Sequence, residues 1–176
     1  KYPTDKKLKN NYAVFLFKYG SQKEALNIYR EFDNQNSHFK DSYINYSNLL
    51  ILINNLSKAL EVINKFILED NNNLEALRQR ALINKLLLDY NKSEEDLLKS
   101  LQIDKLNIIS NQMIVKLYID IKKYEEAIKY CDLMLSEEKD INFFLTKKIL
   151  CKINLGKWIG LEQDLKTFNK NLKYTQ

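Results

Sequence analysis

A small residue returns every 34 positions, and that period constrains the fold of this 176-residue chain more than any other feature. Ala25, Ala59, Ser93 and Ala127 stand 34 apart, and Leu161 takes the fifth place. Their surroundings are alike: SQKEALNIY, LSKALEVI, YNKSEEDLL, YEEAIKYC and WIGLEQDL. Twelve positions ahead of each member runs a second compact column, Ala13, Ser47, Ala81, Val115 and Ile149. Gly20 and Gly156 recur five residues ahead of Ala25 and Leu161, and no insertion interrupts the period.

The stretch KYEEAIKYCDLML, residues 123–135, shows what one copy does locally. Tyr124, Ala127, Ile128, Cys131, Met134 and Leu135 fall on one helical face, because residues three and four apart stack on the same side. A small residue within such a stripe predicts that another helix backbone passes close by. Three Gly and one Pro exclude a loop-rich or all-β design, so nearly continuous helix with short connections is expected. An apolar content of 45% over this length is enough for a sizeable core.

A 34-residue period with two amphipathic helices per copy resembles the tetratricopeptide repeat. The resemblance covers residues 6–175 as five copies (6–39, 40–73, 74–107, 108–141 and 142–175) within a single array over 1–176. It implies an all-α fold, an α-α superhelix or right-handed solenoid of about ten antiparallel helices. One hairpin cannot bury its apolar face alone, so neighbours stack and share a core. Tyr29, Phe32, Tyr43, Phe66, Tyr118, Tyr124 and Trp158 match the family's large positions. Two departures are plain. The usual Pro after the second helix is replaced by Asn71 after Asp70 and by Lys105 after Asp104, and Leu161 and Ile149 enlarge two crossings in the last copy.

Groups able to do chemistry are few. His38, in a polar link between the first two copies, reads as a surface or capping histidine. Cys131 and Cys151 form no metal-type pair and read as buried thiols, which favours a reducing, cytoplasmic setting. One His and two distant Cys supply no zinc set, and three Gly write no phosphate-cradling loop. Glu94–Glu95, Glu125–Glu126 and Glu137–Glu138 are adjacent, diverge by about 100° on a helix, and read as solvated first-turn acids. No enzyme activity, cofactor or metal is expected of this segment. The longest apolar runs, Ala13 to Phe17 and Leu49 to Ile53, fall far short of the roughly 18 residues of a membrane span. No secretory signal is visible, and because the chain begins at Lys1 without a Met the question of an upstream segment stays open.

The net charge of +5 arises from 28 basic and 23 acidic residues interspersed, the pattern of a solvated surface. Only 3 of the basic residues are Arg, and no Arg–aromatic cluster marks a base-stacking platform, which argues against nucleic acid. The Lys excess and the 21 Asn read as the bias of an A+T-rich genome rather than as chemistry.

Binding remains, and the resemblance implies where: fixed positions on the first helix of each copy. In this chain the groove residues so implied are Phe17, Ile44, Asn48, Arg78, Leu82, Lys85, Gln112, Lys116, Ile119 and Phe143. The expected function is a non-catalytic protein–protein interaction scaffold. Its partner is a peptide or protein whose apolar side chains enter the groove, while Asn48, Arg78, Gln112 and Lys116 fix its backbone or acidic groups. Flanking segments of the chain or a second copy (a homo-oligomer) are the alternative cover for the strip. The Lys-Asn-Asn-Lys-Arg arrangement with which some family members hold heat-shock chaperone tails is missing, with Val14, Ile44, Leu82 and Leu150 in its slots. Replacing Ile44 and Leu82 by Glu is expected to abolish capture while leaving helicity intact.

The competing reading is the non-catalytic arm of a larger enzyme. The last helix, placed at Trp158 to Asn171, carries Leu161, Leu165 and Phe168 and lacks the polar outer face of a terminal repeat. Residues 143–168 are also similar to the repeat-to-catalytic junction of bacterial glycosyltransferases of the O-linked N-acetylglucosamine transferase type. Of that junction's Cys-Asp-Trp only Trp158 stands, with Gly156-Lys157 before it.

Overall fold

The computed structural model describes residues 5–35 and 37–173; residue 36 of the first copy and residues 174 and 175 of the fifth lie outside the described residues. Every regular element among the described residues is an α-helix, and none is a strand. In chain order these are α1 Lys6–Tyr19, α2 Gln22–Asn34, α3 Lys40–Leu52, α4 Leu56–Glu69 and α5 Leu74–Leu86. They are followed by α6 Tyr90–Ile103, α7 Ile108–Asp120, α8 Tyr124–Ser136, α9 Ile141–Asn154 and α10 Leu161–Lys173. The helices fall into two units, α1–α5 within Lys1–Asp89 and α6–α10 within Tyr90–Gln176. No described helix is long and apolar enough to cross a membrane.

The period is written into the turns. Asn54, Leu88, Lys122 and Gly156 stand 34 apart and share left-handed φ values of 58°, 62°, 61° and 66°. The residue after each closes the first helix of a copy with the same bond. Asn55 N–H donates to the Leu50 carbonyl, Asp89 to Asn84, Lys123 to Tyr118 and Lys157 to Lys152, six residues back to one. Leu and Lys pay a steric cost there that Gly avoids. Gly20 occupies the same register but with φ −136°, so the first hairpin turns differently. A side chain at Gly20 would meet Leu16 Cδ2 at 3.2 Å.

Asparagine starts several helices. Asn55, Asn73 and Asn107 accept from the backbone N–H groups of Lys58, Ala76 and Ser110, satisfying donors that a helix start leaves orphaned. Where the repeat pattern lacks its Pro, Asn73 Nδ2 donates to Asp70 at 3.0 Å and Asn107 Nδ2 to Asp104 at 3.1 Å. This Asp-x-x-Asn device, also 34 residues apart, caps the incoming helix. The asparagines therefore do structural work beyond compositional bias.

Both small columns are buried: Ala13, Ala25, Ser47, Ala59, Ala81, Ser93, Val115 and Ala127 all lie inside. In the first unit the core also holds a stack of rings. Tyr29 lies on Tyr46 at 5.2 Å between centroids, Tyr46 on His38 at 5.7 Å, His38 on Tyr43 at 4.8 Å and Tyr43 on Phe66 at 5.3 Å. His38 is thus no surface residue; its side chain is 2% exposed. Its Nδ1 meets Ser42 Oγ, and it is Ser42, not His38, that accepts from the Phe39 N–H at the start of α3.

In the second unit Cys131 and Cys151 are free, buried thiols. Leu161 and Ile149, the enlarged pair, pack together with Leu145, and Phe168 lies against them. Two expectations fail here. Trp158 is 67% exposed rather than a core aromatic, because α10 begins only at Leu161, after Gly160 turns with φ 73°. Of the acid pairs, only Glu125 and Glu126 stand in a first turn. Glu137 and Glu138 follow the end of α8, and Glu94 is bonded by Tyr118 Oη and by Lys123.

Candidate functional site

The first helices of the copies carry the candidate residues, and each unit brings some of them together. In the first unit Phe17 of α1 and Asn48 of α3 line one cavity of ≈ 200 Å³ with Val14, Lys18, Tyr29 and Asn45. Its floor is ordered by Asn10, whose buried carbonyl accepts from Tyr29 Oη at 3.2 Å and from Asn45 Nδ2 at 3.3 Å. Asn48 is held in turn: Gln79 Nε2 of α5 donates to its Oδ1 at 2.7 Å and to Ser47 Oγ at 2.9 Å. Arg78, Leu82 and Lys85 follow on one face of α5, each half-buried, and Arg78 and Lys85 are already engaged by other groups.

Ile44 does not belong to this surface. It is 7% exposed and packs into the first unit's core. The α3 position five residues into the copy faces inward, as does its α1 counterpart Asn10. Ile44→Glu would bury a carboxylate and unfold the helix pair rather than probe a partner.

The second unit offers the better-formed arrangement. Phe143, in the first turn of α9, is half-buried and has two ammonium groups against its ring. Lys116 Nζ of α7 stands 5.3 Å from the ring centroid and Lys147 Nζ of α9 5.7 Å. Phe144 meets Phe143 edge-on at 4.9 Å and is itself buried, which fixes the outer ring. Gln112 Nε2 donates to Asp140, the residue before α9, and so ties α7 to the start of α9. On the same two helices Ile109, Leu150 and Ile153 are 53%, 39% and 48% exposed. Ile119 is half-buried on the same helix as Gln112 and Lys116.

Two cations held against an aromatic ring, on helices that also expose aliphatic side chains, join positive charge to apolar surface. Such a surface suits acidic and apolar groups presented together. Lys147 was missed among the candidates, although its i,i+4 relation to Phe143 on a helix signals that the two side chains meet. Among the described residues no group of His, Cys, Asp or Glu gathers as a metal site would need.

Known structures share this architecture. A tetratricopeptide repeat protein from Parabacteroides merdae superposes with a TM-score of 0.77 over 96% of this chain and 66% of its own, at 20% identity. The chain has the tetratricopeptide-repeat fold. A MamA protein matches with a TM-score of 0.81 over 97% of this chain and 96% of its own, at 13% identity. A MamA segment from Desulfovibrio magneticus matches at 0.80 over 100% and 99%, also at 13% identity. The chain therefore spans just under two thirds of the first of these proteins and nearly the whole of the other two. No family model matches the sequence, and no curated protein matches it. At such identities the likeness is one of fold, and the tetratricopeptide-repeat architecture is what it establishes.

Proposed function

We propose that the chain is a non-catalytic protein-interaction scaffold that takes up a peptide or protein segment on the first helices of its repeats. The α7–α9 face is its best-formed seat. The observation that carries this reading is Phe143 with Lys116 and Lys147 against its ring, on helices that also expose Ile109, Leu150 and Ile153. Buried side chains are normally partnered, and a cluster of exposed aliphatic groups around a fixed aromatic is characteristic of an interface. An acidic residue would meet the ammonium groups while neighbouring apolar side chains cover Phe143 and Leu150, a helix-face mode of peptide capture.

Selection of a displayed random-peptide library on the whole chain tests this. The selected peptides are expected to pair acidic with apolar residues. Phe143→Ala combined with Lys116→Gln should weaken them at least tenfold, about 1.4 kcal/mol, with the circular dichroism spectrum unchanged. Equal binding to the folded double variant would overturn the assignment of this face.

A further inference from the structure

A second cavity lies in the first unit among α2, the end of α3 and the start of α4, apart from the one that holds Phe17 and Asn48. Its volume of ≈ 440 Å³ is that of a small-molecule site. Leu26, Tyr46, Leu50 and Ile53 supply an apolar wall, and Arg30, Asp33 and Lys58 supply charge. The charges are not balanced. Lys58 bonds Asp33 at 2.7 Å and Glu61 at 2.9 Å, and Lys65 bonds the same two carboxylates at 2.9 Å and 3.2 Å. Two cations and two anions thus close one network, and Arg30 stands outside it. Its exposed guanidinium makes no hydrogen bond or ion pair among the described residues. The first turn of α4, whose cap Asn55 also lines the cavity, carries no acid and adds the positive end of its dipole.

We propose that this cavity binds a small amphipathic carboxylate. The guanidinium of Arg30 takes the carboxylate through two parallel N–H···O bonds, and the apolar body rests on Leu26, Leu50 and Ile53. One surplus positive charge matches a monoanion; a phosphate dianion would overshoot it and face Asp33 besides. The four apolar side chains would be idle with an inorganic anion and are used by a short hydrocarbon body. A free carboxylic acid and the C-terminus of a peptide share this chemistry. The site shares no residue with the α7–α9 face, so it stands or falls separately from the interaction scaffold.

Titration of the ¹⁵N-labelled chain, followed by amide chemical shifts, tests the proposal with four probes: 4-methylpentanoate, N-acetyl-leucine, its uncharged amide, and inorganic phosphate. Saturable shifts confined to α2, the end of α3 and the first turn of α4 are expected with at least one of the two carboxylates. Arg30→Gln should weaken them at least tenfold and Arg30→Lys less, since Lys keeps the charge but loses the fork. Saturation by 4-methylpentanoate alone assigns a free acid, and tighter binding of N-acetyl-leucine assigns a peptide C-terminus; either supports the site. The proposal is overturned if no probe saturates, if the amide or phosphate binds as tightly as both carboxylates, or if Arg30→Gln changes nothing. Arg30 is exposed and unpaired, so both variants are expected to fold as the parent does.

Discussion

His38 has a ring nitrogen that nothing reaches. Ser42 Oγ gives its hydrogen to the Phe39 carbonyl, so Nδ1 is the donor to Ser42 and Nε2 carries the lone pair. Nε2 is buried without a partner, and Asp33 Oδ1 stands 3.7 Å away, beyond hydrogen-bond range. Burial disfavours the charged ring and pushes its pKa down to about 4, against the opposing pull of Asp33. Between that value and the ordinary 6.5 the unfolded chain binds a proton that the folded chain refuses. Stability is therefore full above the ordinary value and falls as pH drops through this window. His38→Phe, which keeps a ring between Tyr43 and Tyr46, should flatten the melting temperature between pH 4 and 6.5; an unchanged slope would assign the loss to other groups. Asp33, whose own pKa is lowered by Lys58 and Lys65 despite the opposing effect of burial, loses its contribution only at still lower pH.

At the scale of the helix and its turns, the small columns and the stripe on α8 were legible in the sequence because packing distance filters residue size directly. The turns were not. Leu88 and Lys122 hold the left-handed places that Gly156 holds in the last copy, and neither residue type announces such a conformation. Leu88 is 70% exposed, so Leu88→Gly sacrifices little packing and should stabilise the chain by up to about 1 kcal/mol, read as a rise in denaturation midpoint. The caps were hidden for a different reason. Asn73 and Asn107 sit in a sequence rich in Asn, and only their bonds to Asp70 and Asp104 separate them from the rest. Asn73→Ala and Asn107→Ala should each cost about 1 kcal/mol, whereas exposed Asn91 should tolerate the same change. Ile44 was misjudged because family register names a helix position but not how far each helix is rotated into its own core.

For the molecule as a whole, each unit carries its own reporter. Acid acts on the first through His38. The second holds Cys131 and Cys151, whose pKa values burial pushes up to about 12 and about 11, so thiolate is scarce in the folded state. A disulfide exchange reagent should modify neither cysteine in the native chain over a time that suffices for the denatured chain; rapid native labelling would mean that the α8–α9 packing opens readily. The fold class was legible from period alone, since 34-residue recurrence leaves few architectures. The candidate surface was legible only in part, because which side chains remain uncovered depends on details of packing that the period does not encode. Of the residues named, Lys116 stands against Phe143 and Gln112 bonds Asp140 instead, while Lys147 emerged from the structure. The proposed function has partners met by the first helices of the repeats. Amide hydrogen exchange of the whole chain, with and without a peptide selected on it, tests this most directly. Slowed exchange concentrated in α7 and α9, with α8 and α10 unaltered, is the result predicted; protection confined to α8 and α10 would contradict it.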